Sequence, residues 1–233
     1  THALVSSISS FSIGNINIYS YYNSPNTGNG TFDIVSGTVT VNGTITTSNA
    51  NAANTSTFTM ATTDPQSGTL ILNKNGNPFS ISASGTSVIN LNGTDNTVNY
   101  NFSGAQTIYP VAYHNLYLSA GGAKTLQSGT SIISGDLILS GGASTTAVTG
   151  LTISGNINIG SSSVFTSGNY THYIAGSWTD NNSSDGFTEG SGSIQFNGSS
   201  AQSLSAANTS GETFNGFTLN NSTINTYTFT KKL

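Results

Sequence analysis

The chain has 233 residues, of which only 5% are charged, and its formal net charge is −4; an average soluble domain carries roughly 25% charged residues. All four basic residues are Lys (74, 124, 231 and 232), so the clustered cations that bind nucleic acid or an anionic membrane surface are excluded as a design. No Cys is present for disulfides, and no apolar run of about 20 residues is present for direct membrane insertion.

The chain opens "THALVSSISSF", without an initiator Met. It is expected to be a mature or excised piece of a longer precursor. Ser, Thr, Asn and Gly then alternate with Ile, Val, Leu, Phe and Tyr along most of its length, the period of strands with one buried face. The first such strand is "GNINI" at 14–18, followed by "SGTVTV" at 36–41. "TVTVNGTIT" at 38–46 sets Asn42-Gly43 between two alternating runs, which is a hairpin signal. "SGTLIL" at 67–72 and "VNYNFSGAQTI" at 98–108 come next.

From residue 133 a period emerges. "ISGDLILSG" at 133–141 is repeated as "ISGNINIGS" at 153–161, and "IAGSWTD" at 174–180 is a third copy. Ile133, Ile153 and Ile174 share one slot, and Leu137, Ile157 and Trp178 another, at steps of about 20 residues, a solenoid coil length. Looser copies follow in "GSIQF" at 192–196 and "GFTL" at 216–219. A longer echo aligns 98–108 with "IQFNGSSAQSL" at 194–204, and 113–119 with 214–220. The second copy is the longer one, which places a short insertion near "AANTSGE".

A repeat of this length is too short to bury its own apolar face, so stacking must do it. The fold expected is all-β: a parallel, right-handed β-solenoid with coils of about 20 residues. Residues 1–233 form a single domain in this reading, with 1–65 irregular and 66–233 in regular coils. Roughly eleven coils at about 4.8 Å make a rod of order 50 Å. The alternative is one or more antiparallel β-sandwiches, above all in residues 1–65, where the Asn-Gly turns favour hairpins.

Residues 172–223 carry an "aGsWt" segment at Gly176–Thr179 and a strand ending in Phe-Asn-Gly at Gly192–Gly198. They continue with an Ala-Gln step at Ala201–Leu204 and a strand closing on Asn-Asn-Ser at Phe214–Ser222. This stretch resembles the Gly/Asn/Thr-rich β-helical repeats of very large cell-surface adhesins in gliding and related bacteria, many exported by type IX secretion. The resemblance implies surface display, adhesion or a filament role, and brings no catalytic motif.

Chemistry is sparse. A β-helical polysaccharide lyase needs an Arg or Lys base beside acids, and a glycoside hydrolase needs paired carboxylates at one cleft; neither constellation is legible. The chain is therefore expected not to be an enzyme. "DNNSSDGFTE" gathers Asp180, Asp185 and Glu189, oxygen ligands suited to Ca²⁺, although the spacing departs from an EF-hand loop. Without that ion no cofactor is implied. Tyr19, Tyr21 and Tyr22 cluster as flat amphipathic side chains that can stack on sugars.

The expected role is a non-catalytic, extracellular structural protein, either a segment of a cell-surface adhesin or a filament subunit. The alternative is a glycan-binding module on the same scaffold. Partners expected are copies of itself or neighbouring domains of a longer surface protein, with glycans under the alternative. The uncharged "HALVSSISSFSI" and the alternating "TINTYTFTKKL" are expected to be strand edges covered by such a partner.

Overall fold

The computed structural model describes residues 2–6, 9–23, 26–60, 67–82, 84–221 and 227–231, with side chains for 9–21, 28–60, 67–82 and 84–221. Among these residues all regular structure is β-strand, wound into a three-sided coil. One side is a continuous ten-stranded parallel sheet that begins at Ser10–Ile13 and ends at Tyr227–Lys231. The second side runs from His2–Ser6 to Thr86–Asn90, crosses the bridges Leu91–Tyr113–Ile133, and continues to Phe217–Leu219. The third runs from Ile16–Ser20 through bridges at Gln106 and Ser144 to Phe187–Thr188. The chain visits the second side, the first and then the third, and climbs one strand per circuit. This is a parallel β-solenoid.

The expected ladders are present. Ile133 pairs with Ile153 and Ile153 with Ile174; Leu137 pairs with Ile157 and Ile157 with Trp178, all in parallel register. Coil length varies more than the repeat implied. The first coils are long: in register, Ser10 stands beside Thr38, Gly37 beside Gly68 and Thr69 beside Thr97. The circuit then shortens sharply between Thr97 and Asn115. It holds nearly constant from Leu116 through Leu137 and Ile157 to Trp178, and lengthens again between Trp178 and Leu204. Ten strands rather than eleven stack on the longest side, which gives a height of about 43 Å at about 4.8 Å per step.

The sandwich alternative for residues 1–65 is not supported. The strands there pair in parallel with strands one coil away. Asn42-Gly43 turns a corner instead of a hairpin: Gly37–Val41 and Ile45–Asn49 lie on different sides of the coil. The reason is energetic, because alternation buries one face of each run equally well whichever edge is paired. The one antiparallel pair among the described residues is the small hairpin Tyr22–Asn23 with Asn26–Thr27.

The core is a column of inward side chains. Val39, Leu70, Val98, Leu116, Leu137, Ile157 and Trp178 are each fully buried, and follow one another in register. Aromatic rings stack between coils where the lumen is wide: Phe32 on Phe58 at 5.6 Å and Phe165 on Phe187 at 6.0 Å. Corners are held almost without charge. Asn115 Oδ1 accepts the backbone N–H of Asp136 at 2.9 Å, Asp136 Oδ1 that of Asn156 at 2.7 Å, and Asn156 Oδ1 that of Ser177 at 2.8 Å. Each side chain thus satisfies a donor of the coil above it, which turns in these positions require.

The echo noticed in the sequence has a structural counterpart. Gln106 and Gln202 are both buried, and each Nε2 donates to two carbonyls of the preceding coil: Leu72 and Lys74, and Ile174 and Gly176. The two copies lie on different sides of the coil, since Gln106 belongs to the third side and Gln202 to the first. Lys124 Nζ completes the first copy, donating to the carbonyls of Phe102 and Gly104 and to Gln106 Oε1. Burial pushes its pKa down to about 8. Gln202 has no such donor, and its Oε1 is unsatisfied.

His172 is fully buried. Its Nδ1 accepts the Leu151 N–H at 3.1 Å, so the ring proton sits on Nε2 and is donated to the Ser167 carbonyl at 2.9 Å. Protonating Nδ1 would set two N–H groups against each other. Burial lowers its pKa from 6.5, with the Ser167 bond acting in the opposite direction. The unfolded chain therefore takes up a proton below pH 6.5 that the folded chain refuses, and stability falls as pH drops through that value. Carboxyls with raised pKa tilt the whole-protein curve the other way, so the comparison is with His172→Gln. The advantage of wild type over this variant should shrink by up to about 1.4 kcal/mol per pH unit below 6.5 in chemical denaturation. A pH-independent difference would refute the buried neutral assignment.

Candidate functional site

Two places merit attention: a carboxylate cluster where the coil lengthens after Trp178, and the exposed tyrosines near the start.

The cluster begins with an aliphatic slot given to an acid. Leu118, Leu139 and Ile159 form a buried column, and the next residue in register is Asp180, 1% exposed. The loop after it makes this tolerable. Asp180 Oδ1 accepts the N–H of Asn182 at 2.8 Å and Oδ2 that of Gly186 at 3.0 Å. Gly186 is required for the close approach, because a Cβ there would collide with both Asp180 carboxylate oxygens. Asn182, also buried, ties the loop down by donating to the Ser163 carbonyl at 2.9 Å.

The next coil supplies a second acid. Ala206 pairs with Asp180, and the chain continues through Asn208 to Glu212. Carboxylate oxygens of Asp180, Asp185 and Glu212 lie within 4.8 Å of one another. Both Glu212 oxygens are buried without a well-formed hydrogen bond. Burial, then the charge of Asp180, raise the Glu212 pKa to about 8. The Trp178 indole N–H, itself without a well-formed bond, favours the charged form. Asp180 is also raised by burial, against the pull of its two backbone N–H bonds. Neither Lys74 nor Lys124, the lysines whose side chains are described, pairs with any of the three.

Of the acids grouped in the sequence, Asp180 and Asp185 are brought together, while Glu189 stands outside the cluster and Glu212 occupies the third position. Glu189 follows Phe187–Thr188 along the third side, away from the loop that folds back over Asp180. Glu212 lies inside the "AANTSGE" insertion whose existence the lengthened echo revealed.

Tyr19 and Tyr21 are 57% and 74% exposed, and the Tyr22 side chain lies outside the described residues. Tyr19 pairs in register with Ser48, so no aromatic column continues from it. On the longest side the outward column through Asn99, Tyr117, Ile138, Asn158 and Thr179 repeats no chemistry. Tyr113 is in the core. It donates to the Tyr109 carbonyl at 2.7 Å and accepts from Tyr100 at 2.8 Å.

No protein-family model, curated protein or solved structure matches the chain.

Proposed function

We propose that the chain is a non-catalytic structural segment of an extracellular surface protein, an adhesin stalk or a filament subunit. The observation carrying this reading is the apolar column that fills the coil among the described residues, together with the unpaired edges of the first and last strands of the ten-stranded sheet. Among the described residues nothing pairs with the outer edges of Ser10–Ile13 and Tyr227–Lys231. Such edges template further strands. The cluster at Asp180 is built into the wall of the coil. The likeness of 172–223 to surface-adhesin repeats points the same way. Ser10–Ile13 and Tyr227–Lys231 fall within the "HALVSSISSFSI" and "TINTYTFTKKL" segments, parts of which lie outside the described residues.

The test is assembly. Sedimentation and negative-stain microscopy of the chain should show end-to-end association. Deleting residues 1–12 should abolish it, or expose an aggregating edge, with the central coils still folded by circular dichroism. A monomer indifferent to that deletion refutes the filament form. The exposure of Tyr19 and Tyr21 favours one second reading, glycan binding, which a glycan array with Tyr19→Ala and Tyr21→Ala would reveal.

A further inference from the structure

We propose that Asp180, Asp185, Glu212 and the amide oxygen of Asn208 form a Ca²⁺ site that clamps two successive coils together.

The first support is spacing. Oxygens bound to one Ca²⁺ at about 2.3–2.6 Å lie at most about 5 Å from one another, and the three carboxylates meet that limit at 4.8 Å. The second is an independent orphan. Asn208 is 5% exposed, yet its Oδ1 has no hydrogen-bond partner. Asn208 and Asp185 line the same cleft, about 190 Å³ in volume, with Ser183 and Ser184 at its rim. An amide oxygen buried without a donor, in a cleft shared with Asp185 of the cluster, is what a hard cation satisfies and a bare carboxylate group does not. The third is that both Glu212 oxygens are buried and unsatisfied. The donor set is all oxygen, without His or Cys, which selects Ca²⁺ over Zn²⁺. The cleft leaves room for water to complete the coordination.

The ion would join the loop 181–186 to the loop 207–213, where the circuit from Trp178 to Leu204 is longer than the one from Ile157 to Trp178. A wider coil leaves loop backbone outside the strand ladders. A cation held by both loops replaces the bonds that the ladders do not make there.

Tb³⁺ substitutes for Ca²⁺ at oxygen sites and is sensitised by a nearby indole, and Trp178 is the one Trp in the chain. Exciting the indole of the full chain should give Tb³⁺ emission that saturates, that Ca²⁺ displaces and that Mg²⁺ displaces poorly. Asp185 is exposed, so Asp185→Asn should fold normally and weaken Tb³⁺ affinity by at least about tenfold, as loss of one ligand charge does. Glu212→Gln should do the same, and Glu189→Gln should leave binding unchanged. Ca²⁺ should raise the melting temperature of wild type and of Glu189→Gln, but not of Asp185→Asn. Absent emission, or emission indifferent to Asp185→Asn, overturns the proposal. So does a cluster held by a shared proton, which would show neither emission nor a Ca²⁺-dependent melting shift.

Discussion

Replacing Trp178 with Ala lowers stability by about 3–5 kcal/mol, the cost of emptying a large buried aromatic site. Trp178 is fully buried and stands in register between Ile157 below and Leu204 above. Its ring meets Phe187 edge-on at 4.7 Å and Phe214 at 5.5 Å. Those neighbours belong to other segments of the coil, so no single segment can collapse into the void. Chemical denaturation of the purified chain measures the loss, and Trp178→Phe should recover a large part of it. A melting temperature that barely moves would show that the lumen does not depend on this rung.

A substitution at Gly155 should be at least as damaging. The N–H of Gly135 donates to the His114 carbonyl, that of Gly155 to Gly135 and that of Gly176 to Gly155, each at 2.9 Å. A Cβ on Gly155 would lie 2.5 Å from the Gly135 carbonyl carbon and 2.6 Å from its oxygen. Backbone cannot rotate away as a side chain does, so the coils must separate and the hydrogen-bond chain must break. Gly155→Val is expected to cost about 3 kcal/mol or more, at the upper end of overpacking. Gly14→Ala is the control: nothing lies within 4 Å of its Cβ position, and the change should stay within about 0.5 kcal/mol. Equal effects at the two sites would refute the account.

The parallel stacking was legible where coil length is constant. From Leu137 through Ile157 to Trp178 the step hardly changes, so like residues fall in like slots and the ladder can be read directly. The longer circuits that join Phe11 to Val39 and Val39 to Leu70 hide the same ladder, because their extra residues sit at corners and carry no period. The copy at 192–196 misleads by one side: Ile194 and Phe196 pair with His172 and Ile174, and the partner of Trp178 is Leu204. Alternation reports which way a side chain faces relative to its own strand, not which side of the coil the strand is on.

The cluster was half legible. Nearness along the chain groups Asp180 with Asp185, and it also draws in Glu189. In a solenoid, nearness is set by the coil step. Asp180 pairs with Ala206, and the same step taken from Gly186 arrives at Glu212. The lengthened echo marks that insertion, but a change of offset carries no chemistry. The other available signal is Asp180 itself, an acid aligned with Ile159 in an otherwise aliphatic slot.

Among the described residues the backbone hydrogen bonds of the parallel ladders join each coil to the next along the stacking direction. A pull on the rod's two ends therefore loads them in line and not in shear, and they give way a coil at a time from whichever end is weaker. Each coil released trades a rise of about 4.8 Å for roughly 70 Å of extended chain, at about 3.3–3.6 Å per residue. A rod built this way lengthens under load instead of snapping. The side chains that would fix the force at which the middle of the rod lets go are almost all uncharged: Asn115, Asp136 and Asn156 at the corner, and Gln106 and Gln202 within the wall, with Asp136 the sole acid among them.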